Sequence, residues 1–263
     1  MEDTMNQRQE NQHYLITGGG TGIGRAMALR LAAEGAKVTL VARTASKLQA
    51  VVEEIEAAGG VAQYHTCDIG DQATVEQVVS DAVTSFGPLR GVLANSGIGG
   101  ANFPGPDDRF DTVIQTNVNG TYYTLRAAQQ RLVDDDAPTH MIVTSSCLAR
   151  FGVPGYTAYC ASKAALLGMV RAFALELAGQ NTQVNALCPG WVDTDMAWEG
   201  LDGMAAGMGI TPQAAHDIAM KSVPLGRMSK PSEIAGTVAW LLSEDGRGVT
   251  GQGIDINAGS WMG

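Results

Sequence analysis

The sequence predicts a single-domain α/β fold built on a doubly wound parallel sheet. Three observations predict it. Short apolar runs rich in β-branched residues alternate with helical stretches along the whole chain, the pattern of a parallel sheet with helices on both faces. Several of these runs are apolar throughout rather than alternating, as strands covered on both faces must be. Glycine follows the helical stretches at Gly35, Gly59-Gly60 and Gly87, where a helix stops most readily.

The predicted strands cover residues 14–17, 37–43, 62–68, 91–95, 140–146, 183–188 and 253–257. The predicted helices cover 22–34, 45–58, 71–86, 107–132, 157–177 and 231–242. Residues 1–12 are polar throughout and read as a flexible tail, not a signal peptide. Residues 195–222 break the rhythm. This stretch, rich in Met, Gly and Ala, is too long for an ordinary connection and reads as a substrate lid. Its apolar members Met196, Trp198, Leu201, Met204, Met208 and Ile210 suit either an apolar substrate or a plain packing face.

Composition narrows the function. Hydrophobic residues make up 45% of the 263, enough for a large core. The net charge of −10, from 17 basic and 27 acidic side chains, repels nucleic acid and anionic membranes, so neither is an expected partner. No apolar run approaches the ~20 residues that span a bilayer. Cys67, Cys147, Cys160 and Cys188 form no CxxC pair and have no ligand spacing with the four histidines. They read as reduced thiols in a cytoplasmic protein without a metal site.

The first predicted strand runs into Thr17-Gly18-Gly19-Gly20-Thr21-Gly22-Ile23-Gly24 and then a helix. Glycine permits the tight turn, lets the backbone approach a pyrophosphate and exposes helix N-terminal amides to it. Gly18, Thr21, Gly22, Ile23 and Gly24 are therefore candidate cofactor contacts. The second strand ends in Ala42-Arg43-Thr44, with no acidic residue to hold a ribose 2′-hydroxyl. The Arg43 guanidinium can instead clamp a 2′-phosphate, so the sequence predicts NADP(H) over NAD(H). The alternative is a solvated charge at a strand end.

Tyr159 and Lys163 lie four apart on a predicted helix and share a face. Thr157 is the expected N-cap, which puts Tyr159 in the first turn. A phenol of pKa ~10 is a poor base at neutral pH. The Lys163 ammonium and the helix dipole are expected to lower that value. Ser145 and Ser146 end the fifth strand, and alternation lets only one of them face the site.

The glycine spacing, Gly18, Gly22 and Gly24, resembles the TGxxxGxG fingerprint of the short-chain dehydrogenase/reductase family, a Rossmann-type fold. The resemblance runs from about Tyr14 to Gly259. Tyr159 and Lys163 match its YxxxK motif. Ser146, thirteen residues upstream, matches the family's serine, and Asn117 in Thr116-Asn117-Val118-Asn119-Gly120 its structural and relay asparagine. The resemblance implies hydride transfer between a nicotinamide cofactor and a ketone or secondary alcohol, with Tyr159 as proton donor, Ser146 on the oxygen, Lys163 on the nicotinamide ribose and Asn117 in a water relay. It implies further cofactor contacts at Cys67, Asp68 and Ile69 after the third strand. Asn95 and Gly97 fall in Ala94-Asn95-Ser96-Gly97, which departs from the family's NNAG. Pro189, Gly190, Val192 and Thr194 match its PGxxxT. Asp255-Ile256-Asn257-Ala258-Gly259 departs from the commoner VDGG. The resemblance also implies a homotetramer. Segment 195–222 has the length seen in ketoreductases of aromatic polyketide synthesis, so a 3-oxoacyl or polyketide-type ketone is the expected substrate. The alternatives are an NAD-dependent secondary-alcohol dehydrogenase and a non-catalytic NADP-binding sensor.

Overall fold

The computed structural model describes residues 8–263. Seven strands form one parallel sheet in the order β3-β2-β1-β4-β5-β6-β7. They are β1 (His13–Thr17), β2 (Lys37–Ala42), β3 (Val61–Thr66), β4 (Gly91–Ala94), β5 (Thr139–Thr144), β6 (Thr182–Pro189) and β7 (Gly253–Ile256). Each lies within one or two residues of its predicted position. The chain builds outward from β1 to β3, then returns to place β4 on the other side of β1. At such a reversal the connections at the carboxyl ends of the strands part and leave a crevice.

Alternate residues of each strand enter opposite core layers. Leu15, Val92, Met141 and Val143 pack with helices α3 (Gln72–Phe86), α5 (Gly120–Gln129) and α6 (Thr157–Leu177). Tyr14, Ile16, Leu93 and Ile142 pack with α1 (Gly22–Ala33), α2 (Ala45–Ala57) and α9 (Pro231–Leu241). This is why the strands read as continuous apolar runs.

Three expectations are corrected. The predicted helix 107–132 is broken: α4 (Phe110–Ile114) leads into a π-helical turn, Gln115–Asn119, before α5. The Thr121 hydroxyl, at the start of α5, donates back to the Asn117 carbonyl of that turn at 2.7 Å. Gly120 must also pass close to Ile69, whose Cγ1 would lie 2.8 Å from a Cβ there. Segment 195–222 is not a loop but a helical hairpin, α7 (Asp195–Met208) and α8 (Pro212–Met220). Thr194 and Thr211 cap these helices with their hydroxyls, and Pro212 opens the second, signals legible in the sequence. The hairpin has its own small core of Leu201, Ala205, Ala215, Met220, Val223 and Met228. Finally, residues 8–12 are not loose. Gln9 is buried, donates to the Leu242 carbonyl at 3.1 Å and accepts from the Tyr14 hydroxyl at 2.6 Å. Residues 1–7 of the expected tail lie outside the described residues.

The helical stretch Thr157–Gln180 is long and apolar enough to cross a membrane, contrary to the reading of the bare sequence. It packs on β6 and buries Leu166, Val170, Phe173 and Leu177 in the sheet core, which accounts for its apolar character.

Candidate active site

Turn 17–24 joins β1 to α1 as a cradle that no side chain could fill. A Cβ on Gly24 would sit 2.2 Å from the Gly18 carbonyl oxygen, and one on Gly18 would meet Asn95 Nδ2 at 2.9 Å. Gly18 and Gly22 adopt φ of +67° and +52°, which glycine alone takes without strain. Thr21 holds the N-cap of α1 without a capping hydrogen bond, and the first turn carries no acidic residue. The α1 amides therefore face outward free for an anion, as a pyrophosphate requires. Thr194 closes the far wall, its Cγ2 3.0 Å from where a Gly22 Cβ would stand. Asn95 ties the crevice together: its amide donates to Thr17 Oγ1 at 3.0 Å, and its Oδ1 accepts from Thr144 Oγ1 at 3.0 Å. These residues fit a dinucleotide.

Across the crevice, at the carboxyl end of β5, stand Ser146, Tyr159 and Lys163. Ser145 is turned away, donating to the Lys163 carbonyl at 2.8 Å. The Ser146 hydroxyl lies beside the Tyr159 phenol and is the one neighbour among the principal influences that favours its ionisation. Lys163 is buried, its Nζ 5.6 Å from the Tyr159 ring centroid and donating to the Thr144 carbonyl at 2.8 Å. Asn117 is buried in the π turn. Its Oδ1 accepts from the Ile98 amide at 2.8 Å, and its Nδ2 donates to the Ile98 carbonyl and to Ser162 Oγ, each at 3.0 Å. Asn117 Oδ1 and Lys163 Nζ meet over Gly97, 3.2 and 3.3 Å from where its Cβ would be.

A matching family profile, described as Enoyl-(Acyl carrier protein) reductase, covers residues 18–260. The chain belongs to the short-chain dehydrogenase/reductase family. It is an NAD(P)-dependent oxidoreductase. The 3-oxoacyl-acyl-carrier-protein reductase of Thermotoga maritima is 32% identical over 254 residues, covering 96% of this chain and 98% of that protein. The protein of the same name from Staphylococcus aureus is 33% identical over 251 residues, covering 94% and 97%. A variant of the actinorhodin polyketide ketoreductase, solved with NADPH, superposes with a TM-score of 0.89 at 30% identity, covering 95% of this chain and 97% of that one. A short-chain dehydrogenase from Burkholderia cenocepacia, in complex with NADP, gives 0.84 at 32% identity, covering 96% and 99%.

One capping and one electrostatic expectation for this dehydrogenase/reductase do not hold, although Tyr159 does lie in the first turn of α6. Thr157 is not the N-cap of α6. Tyr156 takes that position, so Thr157 is the first helical residue. Nor does Lys163 pull the phenol down. Burial pushes Tyr159 up to about 12, against the opposing effect of Ser146. Burial likewise pushes Lys163 down to about 8. The ammonium donates to the Thr144 carbonyl and stands 5.6 Å from the ring centroid, and desolvation wins on both groups.

The remaining candidates divide. Arg43 is exposed just past the end of β2, with no hydrogen bond or ion pair among the described residues. Asp68 caps its own turn, accepting from the Gly70 amide at 2.9 Å. Cys67 and Ile69 are buried in the core, which leaves only their backbone to face a ligand. Pro189 ends β6, Gly190 is pressed against Asn257, and Val192 is buried. Sequence reasoning missed Gly99: a Cβ there would lie 3.5 Å from Met196 Sδ and 3.8 Å from Cε2 of Tyr159, so Gly99 lies between the hairpin and the Tyr159 ring. It also missed Ser162, whose pattern in Tyr159-Cys160-Ala161-Ser162-Lys163 gives no hint of its bond to Asn117.

Proposed function

We propose that this enzyme is an NADP(H)-dependent ketoreductase of 3-oxoacyl or polyketide-type substrates, and that Ser146, Tyr159, Lys163 and Asn117 form its catalytic set. The carrying observation is the pairing of Ser146 with Tyr159 at the crevice rim, with Lys163 and Asn117 behind them. When bound, the cofactor supplies a hydride to the carbonyl carbon. The chain then meets the charge that develops on oxygen. Ser146 hydrogen-bonds the substrate oxygen. Tyr159, held near 12 by burial, is fully protonated at neutral pH and gives its proton to that oxygen. Lys163, still charged there, replenishes the phenol, and Asn117 fixes the amide geometry around it. Turn 18–24, Asn95, Gly97, Val192 and Thr194 would hold the pyrophosphate and nicotinamide ends, and Asp68 the adenine. Arg43 would hold the 2′-phosphate.

Met196 of the α7–α8 hairpin faces Tyr159 across Gly99, which supports an acyl or polyketide chain and a lid role for the hairpin. A homotetramer belongs to the same reading. The face of α6 formed by Ala161, Ala164, Ala165, Gly168, Ala172 and Leu175 is exposed, Leu175 by 84%, an apolar patch of the kind closed oligomers cover. Free thiols at all four cysteines support a cytoplasmic setting.

The test compares 3-oxoacyl thioesters, bicyclic ketones and enoyl thioesters with NADPH and NADH, in the wild type and in Arg43→Ala. The expected result is ketone reduction with NADPH, no reduction of the enoyl bond, and an NADPH preference that collapses in the variant. Turnover of simple secondary alcohols with NAD and not of 3-oxo thioesters contradicts it.

A further inference from the structure

Helix α6, which carries Tyr159 and Lys163, begins without a cap of its own. Tyr156 occupies the N-cap and makes no side-chain capping bond. The first amides of a helix need acceptors from outside it. Here the Ala158 amide donates at 2.9 Å to Oδ1 of Asn102, a residue on the loop that follows β4. The Asn102 main-chain amide donates to the Gly155 carbonyl at 2.7 Å. One residue thus grips both the helix start and the turn before it. The far side of the same amide group is also engaged. Asn102 Nδ2 donates to Asp108 Oδ1 at 3.1 Å, and that oxygen accepts from the Phe110 amide at 3.0 Å. Phe110 opens α4, which runs directly into the π turn holding Asn117. The chain Ala158, Asn102, Asp108, Phe110 therefore ties the start of the Tyr159 helix to the start of the Asn117 helix. No hydrogen bond joins Asn102 or Asp108 to Ser146, Tyr159, Lys163 or Asn117 themselves.

We propose that Asn102, acting through Asp108, is a positioning residue that sets the first turn of α6 and so holds the Tyr159 phenol in place beside Ser146. The proposal rests on the reading of Tyr159 as proton donor. Its logic is geometric. Tyr159 is the third residue of α6, one residue past the amide that Asn102 holds. Loss of that acceptor frees the turn to unwind. A loosened turn moves the phenol away from Ser146 and admits water to it. Burial is what keeps the phenol from ionising, with Cys147, Cys160, Tyr156 and Lys163 as its near titratable neighbours. Admitted water therefore brings its titration down toward that of an ordinary tyrosine.

The test uses Asn102→Ala, Asn102→Asp and the double variant Asn102→Asp with Asp108→Asn. Each is checked for fold by circular dichroism. Two readouts are taken: ketone reduction, split into kcat and KM, and fluorine NMR titration of fluorotyrosine-labelled protein, with Tyr159 assigned through Tyr159→Phe. Asn102→Ala is expected to lower kcat about tenfold with KM for NADPH unchanged, and to lower the Tyr159 titration midpoint. Asn102→Asp is expected to do the same, because two carboxylates then face each other. The double variant keeps acceptors for the Ala158 and Phe110 amides and returns a donor between them, so both readouts recover. A purely structural role moves stability without moving the titration midpoint. The proposal is overturned if folded Asn102→Ala keeps the wild-type midpoint, or if the double variant stays as impaired as Asn102→Asp. Should the enzyme reduce no ketone, the titration alone decides, which separates this proposal from the reading it rests on.

Discussion

At the residue scale the site joins two groups whose charged forms burial opposes. Tyr159 is raised to about 12 and Lys163 lowered to about 8. Neutral pH lies below both, so the phenol keeps its proton and the ammonium its charge, the state that reduction needs. As pH rises through about 8, Lys163 loses its proton while Tyr159 keeps its own. The reductive kcat is therefore predicted to fall across that region, and the limb belongs to the lysine. Lys163→Arg, which stays charged throughout, should remove the limb even if overall activity drops. A flat profile in the wild type contradicts this assignment. The candidates themselves could be picked out because Tyr159 and Lys163 are four apart and Ser146 follows the fifth strand by two residues. Their electrostatics were not. The sequence shows which charges are near in the chain, but not that Lys163 Nζ points to the Thr144 carbonyl 2.8 Å away. Ser162 and Asn102 were invisible for a related reason: their partners, Asn117 and Ala158, lie in other elements.

At the element scale the glycine turn carries the heaviest constraint. Gly24→Ala sets a methyl 2.2 Å from the Gly18 carbonyl oxygen, and backbone atoms cannot yield as a flexible side chain can. The predicted outcome is a fold that persists with NADPH binding weakened by more than about tenfold, read by nicotinamide fluorescence titration. An unchanged Kd contradicts the cradle. Strands and helices were legible here because core-facing periodicity is local. The π turn was not, because it answers to Ile69, a residue on a different segment that crowds Gly120. The α7–α8 hairpin was missed although Thr194, Thr211 and Pro212 marked its helix starts. Its glycines and methionines masked the helical period, and its buried residues form a small core of their own, separate from those on the sheet.

At the scale of the whole molecule, the sheet buries histidines that the unfolded chain leaves open to protons. Burial lowers His140 to about 4 from its ordinary 6.5, and His13 is lowered too. Below 6.5 the unfolded state binds protons that the folded state refuses, so stability falls with acidification until the folded value is reached. His140 alone accounts for about 3 kcal/mol over that window. Urea midpoints should drop steadily from neutral pH toward about 4, and a midpoint that holds constant contradicts the buried neutral histidine. The same sheet aligns the two halves of the chemistry, the glycine cradle after β1 and Ser146 after β5, on either side of one crevice. The central claim is that Tyr159 gives the proton in carbonyl reduction. The most direct measurement is single-turnover loss of NADPH fluorescence on mixing with a 3-oxoacyl thioester, in the wild type and in Tyr159→Phe. The account predicts unchanged NADPH binding and a reduction step slowed by about a hundredfold or more in the variant. A variant that reduces the ketone at the wild-type rate would contradict it.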